Sequence, residues 1–321
     1  MDKENSFKSE NQPLVSIGIP TYNRPEGLKR TLECITGQTY KNLEIIVSDN
    51  CSPDPKVEAV VKEFQKQDNR IQYFRQAENM GRDNNFKFVL EKATGEYFMW
   101  AADDDEWENF YVEKILKEFQ SVGVDFVAIN FEAQYVENNF KKFEYFAEGK
   151  AFYYFYSDSV KSRLKHLLKF NYGNLVYSIY RMNVLKKINN MIWVKNEIPF
   201  MLQIMQYGNW KVIPEVGFYK KTNHNTYMQA KWENYGGKLP KTFISLKIAL
   251  KSFVINNLGS LRYHWTAFYN IKYAINSLNL SFLYKMDLII FSKWLLFVHF
   301  LSLLIGYKSP KFKKQELNKC H

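Results

Sequence analysis

Three adjacent carboxylates, Asp103-Asp104-Asp105, follow directly on the apolar run EYFMWA at 96–101. Adjacent acids repel one another unless a cation or hydrogen-bond donors compensate. Hard oxygen ligands of this kind suit Mg2+ or Mn2+, which are commonly held by one or two carboxylates together with phosphate oxygens. A metal so placed would neutralise charge on a diphosphate leaving group. The plainer use of such a triplet is a solvated acidic turn, or an acid cluster at a helix N-terminus. Two other polar groups hold equivalent places: Thr21 and Asn23 after LVSIGI (14–19), and Asp49 and Asn50 after LEIIV (43–47). Asp49 and Asn50 offer acceptors and a donor to the imide edge of a uracil or thymine and to a ribose hydroxyl. The string SDNCSPDP also reads as an Asx-turn opening a loop.

The elements that must position these groups alternate regularly. Strand-length apolar runs lie at 14–19, 43–47, 71–74, 96–101 and 124–129. Between them, apolar residues recur at helical spacing: Leu28, Leu32 and Ile35; Val57, Val60, Val61 and Phe64; Phe86, Val89, Leu90 and Ala93; Val112, Ile115, Leu116 and Phe119. Pro25 suits the first position of the first helix. This β-α-β order predicts an α/β domain with a largely parallel sheet. In such sheets ligands bind outside the carboxyl ends of the strands, so three strand ends present one polar rim. A Walker-type phosphate loop is absent, and no G-x-G-x-x-G follows the first strand, where the turn reads PTYNRPEG; P-loop chemistry and the dinucleotide fingerprint are disfavoured.

The strings PLVSIGIPTYNRPEGLKRTL, LEIIVSDNCSPD and ENMGRDNNFKFVLEKATGEYFMWAADDDE, in that order, resemble the family 2 glycosyltransferases with a GT-A fold. The resemblance runs over roughly residues 13–220. It implies transfer of a sugar from a nucleotide diphosphate, with inversion, using Mn2+ or Mg2+. It also implies that Pro20, Tyr22 and Asn23 contact the nucleotide, that Asp49 recognises the base, and that Asn79, Gly81 and Asn85 line the nucleotide pocket. The acidic triplet takes the place of the family's DxD motif. A common family version reads D-x-D-D, and its first position here is Ala102. Two frames follow, in which Asp103 contacts ribose or sugar and Asp104 or Asp105 holds the metal.

An inverting transfer needs a base for the acceptor hydroxyl. Glu197 opens NEIPFMLQIM, whose apolar face is Ile198, Met201, Leu202 and Met205, ahead of Gly208 and a strand-like KVIPEV. The family places an acidic pair there; Asn196 replaces one member, leaving Glu197 as the base expected from the resemblance. The alternative is a first-turn acid complementing the helix dipole. Asp158 and Glu215 are lesser candidates. The resemblance also puts His224, in KKTNHNTY, within reach of metal or diphosphate, although a lone His in a polar loop is more often a bystander. Arg181 pairs with phosphate or serves structure. The aromatic string AFYYFYSDS (151–159) suits an acceptor platform or, more plainly, core packing.

Charge divides the chain. Of 321 residues with net charge +11, positions 241–321 carry 12 Lys/Arg and two acids, while positions 1–240 carry 32 bases and 31 acids. The basic part contains LIIFSKWLLFVHFLSLLIG (288–306), whose longest charge-free run is 13 residues, short of the ~20 that a span needs. Aromatics, leucines and flanking lysines suit an anionic membrane surface better than nucleic acid. A buried terminal helix is the plain alternative. Three cysteines give neither a disulfide framework nor metal-ligand spacing. The polar start has no apolar stretch for export. The expected organisation is a disordered lead (1–12), a GT-A domain (13–230) and a helical, membrane-associated C-terminal region (231–321). The expected place is cytoplasmic, peripheral at the inner face of the membrane. The expected partners are a nucleotide-sugar donor and a saccharide or lipid-linked acceptor. Competing readings are a sugar-phosphate nucleotidyltransferase, distinguished by pyrophosphate release, and a non-catalytic membrane-binding module.

Overall fold

The computed structural model describes residues 12–136, 159–170, 173–188, 198–221 and 280–304, with a few isolated positions between them. The first apolar runs become strands β1 (Val15–Thr21) and β2 (Leu43–Asp49), in which every residue is buried. Continuous burial is what a parallel strand covered on both faces requires. Helix α1 (Pro25–Thr36) joins them and buries Leu28, Thr31, Leu32 and Ile35. Helix α2 (Lys56–Gln65) leads to β3 (Ile71–Arg75), and α3 (Arg82–Lys92) leads to β4 (Tyr97–Trp100). After the acidic triplet come β5 (Glu106–Trp107), α4 (Tyr111–Val122), β6 (Phe126–Val136), β7 (Lys142–Phe143) and β8 (Tyr154–Phe155). Then follow α5 (Val160–Phe170), β9 (Ile179–Arg181), α6 (Met182–Leu185), α7 (Ile198–Met205), β10 (Asn209–Lys221) and α8 (Phe282–Leu304).

The main sheet runs β3-β2-β1-β4-β9-β6-β10-β5. Its first four strands are parallel, with Thr21 opposite Asp49 at the carboxyl ends of β1 and β2. Strand β9 is antiparallel to both β4 and β6, and β5 is antiparallel to β10. The chain leaves β1 toward β2 on one side and later returns to β4 on the other. The carboxyl ends of β1 and β4 therefore bound the crevice where strand order reverses, the usual ligand position in an open α/β sheet. The hydrophobic core beneath includes Ile17, Ile19, Ile45, Val47, Phe98 and Trp100, all fully buried.

Helix α3 differs from its sequence pattern. Its buried residues are Asn85 and Val89, whereas Phe86 and Leu90 are only partly covered. A polar residue has taken the inward position because it has fixed partners at the strand ends.

The chain divides into two compact units: residues 1–133, 174–189 and 210–219, and residues 134–173, 190–209 and 220–321. In the second, all eight residues of α7 are buried, so this helix is enclosed all round rather than one-sided. The Arg163 guanidinium of α5 donates from Nε to the carbonyl of Met205 (3.0 Å) at the end of α7. That bond satisfies one of the terminal carbonyls a helix leaves open. Helix α8 buries Leu288, Ile289 and Ser292 and exposes Phe282, Leu283 and Ile290. Among the described residues, no helix is long and apolar enough to cross a membrane.

Candidate active site

The switch-point crevice is built by hydrogen bonds between chain-distant loops. At the end of β1, Thr21 Oγ1 donates to Asp103 Oδ2 (2.8 Å), and the Tyr22 main-chain N–H points to the same oxygen at 3.4 Å. The first turn of α1 lets the triplet approach closely: a Cβ on Gly27 would lie 2.4 Å from the Asp103 carbonyl oxygen. One turn later, Thr31 Oγ1 lies 3.0 Å from the carbonyls of both Ala102 and Asp105. The triplet is thus clamped to α1 through main chain, leaving its carboxylates to be placed individually.

The three acids differ. Asp103 and Asp105 are buried, at 6% and 1% exposure, while the Asp104 side chain is 36% exposed. Arg24 Nη1 donates to Asp103 Oδ1 at 3.0 Å and to Asp104 Oδ2 at 2.8 Å. Two hard oxygens from successive residues therefore converge on one positively charged nitrogen. Burial pushes the Asp103 carboxyl above its ordinary value, with Arg24 and the Thr21 hydroxyl offsetting part of that rise. For Arg24, burial acts downward, but Asp103 and Asp104 outweigh it and raise the guanidinium.

The β2 end is tied in the same way. Asp49 is fully buried; its Oδ1 accepts from the Ser52 N–H (2.8 Å), and its Oδ2 accepts from Tyr73 (2.9 Å) and Arg75 Nη1 (2.7 Å). The carboxylate thus bonds a main-chain N–H three residues on, in the loop it opens, and also reaches across to β3. Tyr73 is raised mainly by burial and then by its bond to Asp49. The Asn23 N–H donates to Ser52 Oγ (2.8 Å), joining the two rim turns. Asn23 and Cys51 both have left-handed backbone, φ 55° and 61°, a conformation that costs L-residues energy and concentrates at functional loops.

The third segment closes the rim. Asn50 Nδ2 donates to Asn79 Oδ1 (2.8 Å), and Asn50 Oδ1 accepts from the Met80 N–H (2.9 Å). Gly81 has φ 83°, the region that favours glycine. Asn85 accepts from Ser48 Oγ at 2.6 Å and donates to the Ser48 carbonyl at 3.0 Å. Pro20 is buried inside β1 opposite Ser48, and Tyr22 is 44% exposed at the rim. Of the sequence-derived site residues, the structure brings together Pro20, Tyr22, Asn23, Asp49, Asn79, Gly81, Asn85 and the acidic triplet. Glu197, His224 and Asp158 lie outside the described residues.

Arg181 sits at the other end of β4, opposite Tyr97. It donates to the carbonyls of Phe126 (2.9 Å) and Gly123 (3.0 Å) and to the Tyr97 hydroxyl (3.0 Å), a structural assignment. Glu215 is engaged by Lys114 at 2.7 Å. The residues that sequence reasoning missed are Arg24, Tyr73 and Arg75. Arg24 was visible only as a cation adjoining the rim turn; the side chains it meets are 79 and 80 positions away.

Among the described residues, no group of three or more His, Cys, Asp or Glu is arranged to hold a metal. A pair of carboxylates is nevertheless the donor set that Mg2+ or Mn2+ takes when substrate phosphates complete the shell. Asp103 and Asp104 already share one cationic partner, so the residues present fit such an ion.

A half-parallel sheet with an acidic rim at its switch point defines a GT-A glycosyltransferase fold, and comparison with known proteins agrees. The family model described as "Glycosyl transferase family 2" matches residues 16–189. The chain belongs to glycosyl transferase family 2. Among curated relatives, the GalNAc(5)-diNAcBac-PP-undecaprenol beta-1,3-glucosyltransferase of Campylobacter jejuni is 41% identical over 95 residues, 29% of this chain and 30% of the relative. Glycosyltransferase GlyA of Streptococcus pneumoniae is 31% identical over 145 residues, 45% of this chain and 19% of the relative. The chain thus spans less than a third of either relative. Among solved structures, S. aureus TarS 1–349 in complex with UDP-GlcNAc superposes with TM-score 0.56 at 15% identity, covering 91% of this chain and 73% of that one. The mannosyltransferase PcManGT from Pyrobaculum calidifontis, in complex with GDP-Man and Mn2+, gives TM-score 0.51 at 14% identity, covering 93% and 89%. At these identities the likeness is one of fold.

Proposed function

We propose that this chain is an inverting glycosyltransferase. It moves a sugar from a nucleotide-diphosphate donor, a UDP-sugar first among them, to a hydroxyl of a saccharide or lipid-linked acceptor in surface polysaccharide or glycolipid assembly. The observation that carries this reading is the convergence of Asp103 and Asp104 on one cation at the β1/β4 switch point. The names of the relatives support it: the Campylobacter enzyme is named for an undecaprenol-linked saccharide, and the two solved structures hold sugar nucleotides.

Mn2+ or Mg2+ would be held by Asp104 together with Asp103, and when bound it supplies positive charge to the diphosphate leaving group. Asp105, buried at 1% exposure, is the other candidate to hold the metal. Asp49, Asn50 and Asn79 form the base and ribose side of the pocket, and Tyr22 and Asn23 the wall between base and phosphate. Pro20, Gly81 and Asn85 hold the backbone of that wall in place. Glu197 would accept the acceptor-hydroxyl proton as that oxygen bonds to the anomeric carbon. The anomeric carbon–phosphate oxygen bond breaks, and nucleoside diphosphate departs with the electron pair. His224 would lie on the diphosphate side.

The C-terminal region would hold the enzyme against the inner face of the membrane. Helix α8 exposes Phe282, Leu283, Met286 and Ile290. Its one acid, Asp287, is engaged by Lys161 (2.9 Å) and Lys165 (2.8 Å). An exposed apolar stripe with its acid already neutralised suits an anionic lipid surface.

Thermal stabilisation of the full chain by UDP-, GDP- and dTDP-sugars, with and without Mn2+, tests the reading, because a ligand that binds the folded state raises its melting point. Metal-dependent stabilisation by a sugar nucleotide, with free nucleoside diphosphate as product, is expected. Stabilisation by none of them, or release of pyrophosphate, overturns it. Co-sedimentation with anionic vesicles tests the membrane role; Leu283→Asp with Ile290→Asp should lower binding, and an unchanged bound fraction would exclude this face.

A further inference from the structure

We infer that Arg24 is the resident counter-charge of the acidic pair, and that it and a divalent ion compete for the same two carboxylates. The inference rests on the glycosyltransferase reading only for the identity of the competing ion.

The geometry is specific. A single nitrogen, Nη1, bridges Asp103 Oδ1 (3.0 Å) and Asp104 Oδ2 (2.8 Å). A divalent ion bound to those oxygens would stand about 2.0–2.1 Å from each, within the space that the guanidinium now fills. The two cations cannot both face the pair. Arg24 cannot leave by losing its proton, since a guanidinium stays charged in proteins. It can leave by rotation, because its side chain is 56% exposed. Among the described residues its side chain hydrogen-bonds only to these two acids, and Asp105 adds only a lesser electrostatic attraction. It also stands immediately before α1, on the same turn as Tyr22 and Asn23. A guanidinium released there remains beside the pocket, where an incoming diphosphate offers it a new anionic partner.

The arrangement has a physical purpose. Two neighbouring carboxylates, one of them buried, repel each other when no cation is present. Arg24 removes that repulsion in the resting protein and keeps the rim folded. Arg24 itself is 56% exposed and Asp104 36%, so solvent screens that side of the pairing and leaves it weak enough to be displaced.

Mn2+ alone, titrated by calorimetry or by the loss of its free-ion paramagnetic signal, reads the competition in the full chain. Arg24→Gln should bind Mn2+ about five- to tenfold more tightly than wild type, as expected for release from a modest ion pair. Its metal-free melting point should fall, and the rise on adding Mn2+ should exceed that of wild type. Arg24→Lys, which keeps a point charge without the planar fork, should fall between the two, and it serves if the glutamine variant does not fold. Equal or weaker Mn2+ affinity in the folded variants overturns the inference, as does absence of binding in wild type and variants alike. Mn2+ binding seen only in the variant supports it. Sugar transfer measured on the same samples separates the two readings. Transfer by wild type with no gain in variant affinity removes the role of Arg24 alone; loss of both transfer and metal binding in every sample removes the glycosyltransferase reading with it.

Discussion

Strand β2 carries a buried carboxylate near each end, and the two are held by different chemistry. At the amino end, Glu44 accepts from the Ser16 hydroxyl, from the main-chain N–H groups of Thr94 (2.5 Å) and Gly95 (3.1 Å), and from the Thr94 hydroxyl (3.0 Å). Each of these donors is neutral and fixed by a strand or tight turn. At the carboxyl end, Asp49 also accepts from neutral donors, the Ser52 N–H and the Tyr73 hydroxyl, but in addition from Arg75, whose side chain is 39% exposed. Beyond β1 in the sheet, just after β4, Asp103 accepts from Thr21, and both Asp103 and Asp104 accept from Arg24, 56% exposed. Glu44 is enclosed by neutral donors alone, whereas Asp49, Asp103 and Asp104 each also face a partly exposed arginine. Burial alone does not separate the two classes, since Glu44 and Asp103 are similarly hidden, at 8% and 6%. The charge and exposure of the partner do, since Asp103 meets a guanidinium whose side chain is 56% exposed.

The sharpest break of this contrast is Asp104→Asn. It should lower sugar transfer by about 10²–10³-fold, the scale for removing one electrostatic contact to the reacting group. The metal-free melting point should barely move. Steady-state kinetics with calorimetric Mn2+ titration checks both halves, and a large stability loss would place Asp104 with Glu44 instead. Next in size is Glu44→Gln, which turns an amide N–H toward donors and should destabilise by about 2–3 kcal/mol. Urea unfolding measures that loss, and the turnover number of the folded fraction should stay at the wild-type value. Asp49→Asn should show both traits at lower amplitude: about 1–2 kcal/mol of stability, because Tyr73 and Arg75 lose a shared acceptor, and weaker binding of the nucleotide. If it moves stability alone, Asp49 belongs with the structural carboxylates.

The smallest effect concerns pH. Asp103 is raised above 3.8 in the folded chain. Its contribution to stability is therefore present below the unfolded value and is lost as pH rises through the folded one. Asp103→Asn removes that dependence while leaving Thr21 an oxygen to donate to. The metal-free variant should match wild type in acid and be slightly the more stable at neutral pH, by urea unfolding at about pH 4 and about pH 7. A variant less stable than wild type at neutral pH would group Asp103 with Glu44.

Much of the rim was legible in the primary structure because it depends on local order. A polar residue that follows the last apolar residue of a parallel strand must emerge at the carboxyl edge, and Thr21, Asp49 and Asp103 all do so. The apolar faces of α1 and α4 were legible for the same reason. Other features were hidden. Asn85 turns inward on α3 against the apolar spacing of Phe86 and Leu90, because Ser48 satisfies its amide. Helix α7 looks one-sided in sequence, yet all of it is enclosed. The partner of Arg24 could not be read either, since an exposed turn cation beside Pro25 carries no sign of which acid it meets.

Sequence by itself determined which residues stand at the strand ends, because alternation of strand and helix with period-matched apolar positions leaves a parallel sheet little choice of edge. Tertiary structure alone decided which carboxylates meet neutral donors only and which also meet a cation. That property belongs to pairs far apart in the chain, such as Glu44 with Thr94 and Arg24 with Asp103, 50 and 79 positions apart. Only packing fixes whether the donor facing a buried acid is a main-chain dipole or a partly exposed cationic side chain.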